Sequence, residues 1–513
     1  MDSRTIVAPM TPAGVSAVAA LRVSGPQVRD VVRALFGAHA EESLEARRAN
    51  LATARDPRTV KDGDFKSAEV LDSLLYIFFE GPNSYTGEDV LELYPHGNPL
   101  IVRDLLQAIR SVPGVRLAEP GEYTRRAFLN GKMDLAQAES VADVIHSANR
   151  AELKNAHRLL SGALSKKVAA LTAQIKDISA RLELDVDFAE EEADPDYATW
   201  GVKIAAIREN VESLLNSFRG AAGVRRLPLA VLYGAPNAGK SSLVNALLGE
   251  DRILVSNVPG TTRDFVEVRL FLENGEIRLV DTAGIADKAT DALDALSMEK
   301  SREILAEADL KILVVDGAVA GDADVAEGAL LKRSVAGNSL ESAAHEAGVP
   351  GADLVVFSKS DLVQGSTPAQ SDVAGDALSP LRVSAQSDEA GDALSPLRVS
   401  AQSDVAGDAL SPLRVSAKTG EGLAELTRIM NERLFAKSND GDDLWITSER
   451  EKVCLEEALA GIDRTLDLIR TNPAVELLAF EMQLVRRSLQ SIVGEISSED
   501  VLQSIFAGFC IGK

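Results

Sequence analysis

Residues 234–242 run Gly234-Ala235-Pro236-Asn237-Ala238-Gly239-Lys240-Ser241-Ser242, the order of a phosphate cradle. Its glycines let backbone N–H groups curl around phosphate oxygens, and a helix starting there adds partial positive charge. Lys240 reaches the β- and γ-phosphates, and the Ser241 hydroxyl binds Mg²⁺. In Gly260-Thr261-Thr262-Arg263-Asp264, the Thr262 hydroxyl can bind Mg²⁺ and sense the γ-phosphate. Asp281-Thr282-Ala283-Gly284 supplies a carboxylate that holds Mg²⁺ through water and an N–H, on Gly284, that meets the γ-phosphate. Such contacts order loops with a triphosphate and release them after hydrolysis. Base identity falls to Ser358-Lys359-Ser360-Asp361. Asp361 accepts from guanine N1–H and the 2-amino group, a pair adenine does not present, while Lys359 packs over the base. The usual element is Asn-Lys-x-Asp, so the shorter Ser358 is expected to lose a contact to the base or to the phosphate loop, worth ~1 kcal/mol. Ser416, Ala417 and Lys418 supply a last base-binding loop. The nucleotide is GTP.

These loops need strands to carry them. Leu229 to Tyr233 reads as a buried strand, and Leu243, Val244, Ala246, Leu247 and Leu248 as the apolar side of the following helix. Further buried strands are expected at Ile277–Val280, Leu310–Val315 and Val355–Phe357, with a helix from Leu423 to Leu434. That is a P-loop GTPase domain of Ras-like α/β build over residues 227–436. Residues 371–386, 387–402 and 403–418 are near-copies of one 16-residue repeat. Each ends in Leu-Arg-Val-Ser-Ala. Only the last copy runs straight into Lys418 and the helix, so Leu413 to Ala417 is the expected strand and the earlier copies a surface loop, with register exchange between the identical strands as the alternative.

At 513 residues the chain exceeds one core, so about three domains are expected. Residues 1–130 read as a mixed α+β domain. Its strands are expected at Thr5–Ala8, Val18–Val23, Leu71–Phe79 and Val90–Tyr94, and its helices at Gln27–Phe36 and Pro99–Ile109. Residues 131–226 and 437–513 read as two parts of one helical domain, with the nucleotide domain inserted between them. Helices are expected at Leu135–Ile145, Ala151–Leu184 (as one long rod), Ile204–Phe218 and Glu476–Val493. Ser448-Glu449-Arg450-Glu451 has the form of a capping box, and Ser498 caps a last helix to Phe506. Glu190-Glu191-Glu192 marks a solvated acidic turn, and Asn472-Pro473 a break.

The net charge is -24, which argues against a surface basic throughout and leaves room only for a local basic patch. Two cysteines, Cys454 and Cys510, make no disulfide framework and suggest a reducing compartment. No apolar run reaches the ~18 residues of a span, so the expected location is cytoplasmic.

The stretches Leu21-Arg22-Val23-Ser24-Gly25, Tyr85 to Leu93 and Leu117 to Lys132 resemble the MnmE/TrmE family of tRNA-modifying GTPases, as does the terminal Cys510-Ile511-Gly512-Lys513. The likeness spans nearly the whole chain outside 318–412. It implies an N-terminal domain that mediates a homodimer and binds a reduced folate, 5,10-methylene- or 5-formyl-tetrahydrofolate. Matched residue by residue, the folate contacts fall on Arg22, Glu92, Lys132 and Lys513, and Cys510 lies near the modification chemistry. A carboxylate such as Glu92 suits pterin N–H donors, and Arg or Lys suits a folate tail. Tyr94-Pro95-His96-Gly97-Asn98 departs from the family's His-Gly-Gly run.

Ile285 follows Gly284, where Ras-like enzymes place a water-orienting Gln, and no local Arg is an evident finger. The resemblance implies K⁺ in the finger's place, held by Asn237 and by carbonyls around Ser256 and Val258, with Thr261 beside it. Asn257, Pro259 and Gly260 line the same switch against GTP. A switch carboxylate orients water; alignment gives Asp294, with Asp291 as competitor. The implied activity is GTP hydrolysis coupled to modification of the wobble uridine at C5, with an FAD-containing MnmG-type subunit and tRNA as partners. The alternative is a GTP-dependent binding switch in ribosome assembly. The Glu92 and Lys132 stretches and the C-terminal tail speak against it, since such a switch needs no folate.

Overall fold

The computed structural model describes residues 4–187, 197–220, 227–234, 237–249, 266–281, 303–317, 352–362, 413–436, 444–471, 474–496, 498–510 and 512. The chain divides into two compact units, residues 1–226 with 438–513, and residues 227–437.

The first unit holds a six-stranded sheet in the order β4-β5-β6-β3-β1-β8. Its strands are β1 (Thr5–Pro9), β3 (Leu21–Ser24), β4 (Ala49–Arg55), β5 (Val70–Phe79), β6 (Val90–Tyr94) and β8 (Val115–Leu117). β1 and β8 run parallel, and every other neighbouring pair is antiparallel. Helices α1 (Val28–Phe36) and α3 (Pro99–Arg110) cover it, with the short α2 (Ala38–Glu42) following α1; Val28, Val31, Val32, Leu35, Leu105 and Ile109 bury against Leu21, Val23, Leu91 and Leu93. The expected strand Val18–Val23 is divided. Ser16–Val18 (β2) pairs with His96–Gly97 (β7), and β3 begins only at Leu21. Between them the Ala19 N–H donates to the Pro95 carbonyl at 2.9 Å, which diverts the chain from one partner to the other. β4, a half-exposed edge strand, was not legible in the apolar pattern.

Helices α4 (Glu122–Leu129) and α5 (Leu135–His146) lead into the helical part. The rod expected over Ala151–Leu184 is two helices, α6 (Arg150–Leu160) and α7 (Ala163–Asp187). Gly162 sits between them at φ +81°, a left-handed conformation that costs glycine nothing and ends the helix. The Ser161 and Gly162 N–H groups close the terminus on the His157 and Leu159 carbonyls, each at 2.9 Å. α8 (Tyr197–Asn216) follows. After the second unit come Glu449–Ile469, Val475–Val493 and Glu499–Ala507. Leu164, Val168, Leu171, Ile175, Ile178 and Leu182 of α7 meet Ile204, Ile207, Leu455, Ile462, Met482 and Leu489 in one core. This is helical packing on the apolar stripe the spacing predicts.

Ser498 caps the last helix as expected, accepting from the Val501 N–H. Ser448 does not complete its capping box. Its hydroxyl donates to Glu139 Oε1 at 3.2 Å, beside an Arg450–Glu139 pair at 2.8 Å. The helix start is packed against α5, so Glu139 competes for the hydroxyl, and burial pushes the enclosed Glu451 carboxyl well above its usual range.

The second unit holds another six-stranded sheet, in the order β10-β11-β9-β12-β13-β14. These are β9 (Leu229–Tyr233), β10 (Val266–Phe271), β11 (Glu276–Asp281), β12 (Leu310–Asp316), β13 (Leu354–Ser358) and β14 (Leu413–Arg414). Only β10 is antiparallel to its neighbour. Lys240–Leu248 is α9 and Leu423–Phe435 is α10. Leu413 and Arg414 pair in parallel with Val356 and Phe357, so the strand comes from the last repeat copy. The earlier copies, 371–402, lie outside the described residues, as do 318–350, Glu190 to Glu192 and Asn472-Pro473. Among the described residues no helix is long and apolar enough to cross a membrane.

Candidate functional site: a nucleotide cleft and an arginine–glutamate cluster

In a parallel sheet of this kind ligands sit beyond the carboxyl ends of the strands, and the phosphate loop leaves β9 at that end. Lys240 is 4% exposed, and its ammonium donates to the Gly234 carbonyl at 2.9 Å, folded back over the loop. The Ser241 hydroxyl donates to Asp281 Oδ2 at 2.6 Å. The two groups assigned to Mg²⁺ from sequence therefore converge, one from the start of α9 and one from the end of β11. A divalent cation between them would replace the shared proton contact with two oxygen ligands, directly or through water. Asn237 is exposed and holds φ +63°; Lys359 holds φ +57°. Left-handed backbone in non-glycine residues costs energy and gathers at functional loops.

The base end is organised by hydrogen bonds. Buried Ser416 donates its hydroxyl to Asp361 Oδ1 at 2.7 Å and accepts from the Thr419 N–H at 3.2 Å. That aims the carboxylate. Lys359 Nζ reaches the Asn237 carbonyl at 2.9 Å and Asp316 Oδ2 at 2.6 Å, so its alkyl stem spans the cleft floor. Of the two contacts named for loss, Ser358 keeps the one to the phosphate loop: its hydroxyl lies 2.5 Å from the Ala238 carbonyl and 3.2 Å from that of Val315. The tie to the phosphate loop survives because β13 brings the short side chain directly under that loop. A cleft of about 530 Å³ opens here, lined by Gly239, Ser242, Ser358, Lys359, Asp361, Ala417 and Lys418, among others.

A second polar centre lies on the sheet of the first unit. Arg22 and Glu92 stand opposite each other on β3 and β6. Arg22 donates to Glu92 Oε1 from Nε at 3.0 Å and from Nη2 at 2.8 Å. Tyr94 donates to Glu92 Oε2 at 2.5 Å. Burial, then the bond to Glu92, pushes the Tyr94 phenol up to about 12. The Arg22 guanidinium lies 4.9 Å from the Tyr85 ring centre and 5.8 Å from that of Tyr123, a cation held over aromatic faces. Lys132 is not drawn into this cluster; its ammonium donates to the Pro82 carbonyl at 2.8 Å. The C-terminal tail returns to the same sheet. A Cβ on Gly512 would collide with the Pro9 carbonyl, and Pro9 pairs with Leu21 beside Arg22. Cys510 is exposed, and Cys454 is buried.

Comparison with known proteins decides the kinship. The profile of the MnmE helical domain matches residues 135–510, and that of the GTP-binding protein TrmE N-terminus matches 5–132. The tRNA modification GTPase MnmE of Opitutus terrae is 34% identical, over 99% of this chain and 99% of its own. Its counterpart from Carboxydothermus hydrogenoformans is 33% identical over all of both chains. This chain belongs to the MnmE family. Among solved structures, the G domain of the T. maritima FeoB iron transporter covers 40% of this chain and 99% of its own, at 20% identity and a TM-score of 0.23.

Within this MnmE-family chain, several assigned residues lie outside the described ones. They are Ser256, Asn257, Val258, Pro259, Gly260, Thr261, Thr262, Thr282, Ala283, Gly284, Asp294 with its competitor Asp291, and Lys513. Three contributors escaped sequence reasoning. Asp316 fixes Lys359 from the end of β12; a carboxylate closing an apolar strand run is a visible signal for it. Tyr94 and Tyr123 frame Arg22 and Glu92, and Tyr123 donates to the Arg22 carbonyl at 2.5 Å. Tyrosine spacing alone does not mark them, since strand pairing and helix docking bring them there.

Proposed function

We propose that this chain is a K⁺-activated GTP hydrolase that drives modification of tRNA. With an FAD-containing MnmG-type subunit it modifies C5 of the wobble uridine of certain tRNAs, and a reduced folate supplies the one-carbon unit. The carrying observation is the contact of Ser241 with buried Asp281, next to buried Lys240, in a chain akin to tRNA modification GTPases over 99% of its length. Lys240 would bind the phosphates and Ser241, with Thr262, the Mg²⁺. Asn237, exposed on its strained loop, suits a monovalent cation shared with Ser256, Val258 and Thr261. Bound there, K⁺ supplies positive charge where the leaving phosphate develops negative charge. Asp294 would orient water.

For the folate, the ring-lined Arg22–Glu92 pair is a fitting seat. Glu92 Oε2 accepts one bond from Tyr94 and keeps a lone pair for a pterin N–H. Lys132 and Lys513 would meet the acidic tail. Cys510, exposed on the returning tail, would stand near the modification step. The protein would act as a homodimer in the cytoplasm. The test is nucleoside analysis of tRNA from a strain deleted for the endogenous gene and complemented with this chain. Restored wobble-uridine modification is expected, and it is lost in Lys240→Ala. Normal modification in the uncomplemented deletion strain would overturn the reading and favour the ribosome-assembly switch.

A further inference from the structure

The chain carries a net charge of -24, yet residues 153–176 contain no Asp or Glu and hold Lys154, His157, Arg158, Lys166, Lys167 and Lys176. The run occupies most of α6 and the first half of α7. On α7 the apolar stripe faces the core, which turns the opposite face outward. Helical spacing sets Lys166, Ala170, Ala173 and Asp177 in one outward row, with Lys167 and Lys176 on its flanks. All six are exposed. Lys166, Lys167 and Lys176 make no ion pair among the described residues. Asp177, the acid in that row, is doubly matched, by Arg181 at 3.3 Å and by Lys203 of α8 at 3.7 Å. Elsewhere in this unit exposed arginines are mostly spent on carboxylates, as in Arg33–Glu41, Arg48–Glu45 and Arg58–Asp56.

We propose that this outer face of α7 docks the sugar–phosphate backbone of tRNA, an inference that rests on the tRNA-modifying role proposed above. Alanines between the lysines let a polyanion come close to the helix, and lysines act as point charges that track phosphates without reading bases. An acidic chain that must handle RNA needs such a local surface, because its overall field repels the substrate.

The test uses the full chain and an unmodified tRNA transcript, with affinity measured across a NaCl series. In the triple variant Lys166→Gln, Lys167→Gln, Lys176→Gln, affinity is expected to fall about tenfold or more at low salt, with the salt slope reduced by about one per lysine. The matching triple Lys→Arg variant should bind like wild type, and GTP hydrolysis without tRNA should be unchanged in both. Binding by the Gln variant within twofold of wild type would overturn the proposal, as would equal loss in the Arg variant. Wild-type chain that binds no tRNA would also overturn it. Wobble-uridine analysis of the complemented strain then tells whether only the docking face is wrong or the role as well. Retained tRNA binding with loss of the FAD subunit would assign the face to a protein instead.

Discussion

Asp361 was assigned to guanine from its place two residues after Lys359. What aims it was not. Ser416 lies in the next loop, and only the parallel pairing of β13 with β14 sets its hydroxyl 2.7 Å from the carboxylate. Asp361→Asn exchanges an acceptor for a donor opposite the guanine 2-amino group. GTP affinity should fall at least about tenfold, since bonds to a charged acceptor are worth about 1.5–3 kcal/mol each. Xanthosine triphosphate, with a carbonyl at that position, should gain. Equilibrium binding of both nucleotides checks this, and unchanged GTP affinity would remove Asp361 from the base site. Ser358 carries the opposite lesson: a departure that looks costly in one dimension keeps its loop contact in three.

Among the elements, the helices and central strands follow from periodicity, because a stripe that must be buried dictates the element that buries it. The break between α6 and α7 was written in Gly162 but hidden by apolar spacing that continues across it. The position of α4 depends on charges no pattern displays. Glu122, 8% exposed at its side chain, binds Arg116 at 2.6 Å and Arg126 at 2.8 Å. Arg126 in turn reaches Glu88 at 3.0 Å. Burial alone would raise the Glu122 carboxyl, but Arg116, the Glu119 N–H and Arg126 together hold it below its ordinary 4.5. A depressed folded-state pKa contributes stability that is present above the unfolded value and lost as pH falls through the folded one. Glu122→Gln should therefore destabilise the first unit by about 3 kcal/mol at neutral pH, as expected for a broken buried pair. The difference from wild type should shrink below about pH 4. Both tryptophans, Trp200 and Trp445, lie in that unit, so urea titrations followed by their fluorescence measure it. A gap that stays constant down to pH 3 would refute the assignment.

For the whole molecule, the chain leaves one unit near residue 226, builds a nucleotide-binding sheet, and returns near 438 to finish the unit it left. Cycling of the inserted unit is thereby joined to the other at two covalent points. The proposed K⁺ requirement belongs to this scale, because Asn237 alone cannot enclose a cation and needs the switch carbonyls as well. GTP hydrolysis should run at least about tenfold faster in KCl than in NaCl at equal ionic strength, if the ion replaces an arginine finger. Asn237→Ala should remove that difference while GTP still binds. Equal rates in the two salts would exclude the ion.

Taken alone, the sequence determined the order of nucleotide motifs, the strands and helices that carry them, and the kinship with MnmE. Each of these rests on local spacing or on contiguous residues. Tertiary structure decided which distant residues meet: Ser241 with Asp281, Ser416 with Asp361, Arg22 with Glu92 and Tyr94, and Gly512 with the end of β1. Those meetings depend on strand order and register. Register follows from the burial of whole faces at once, so no single stretch of the chain encodes it.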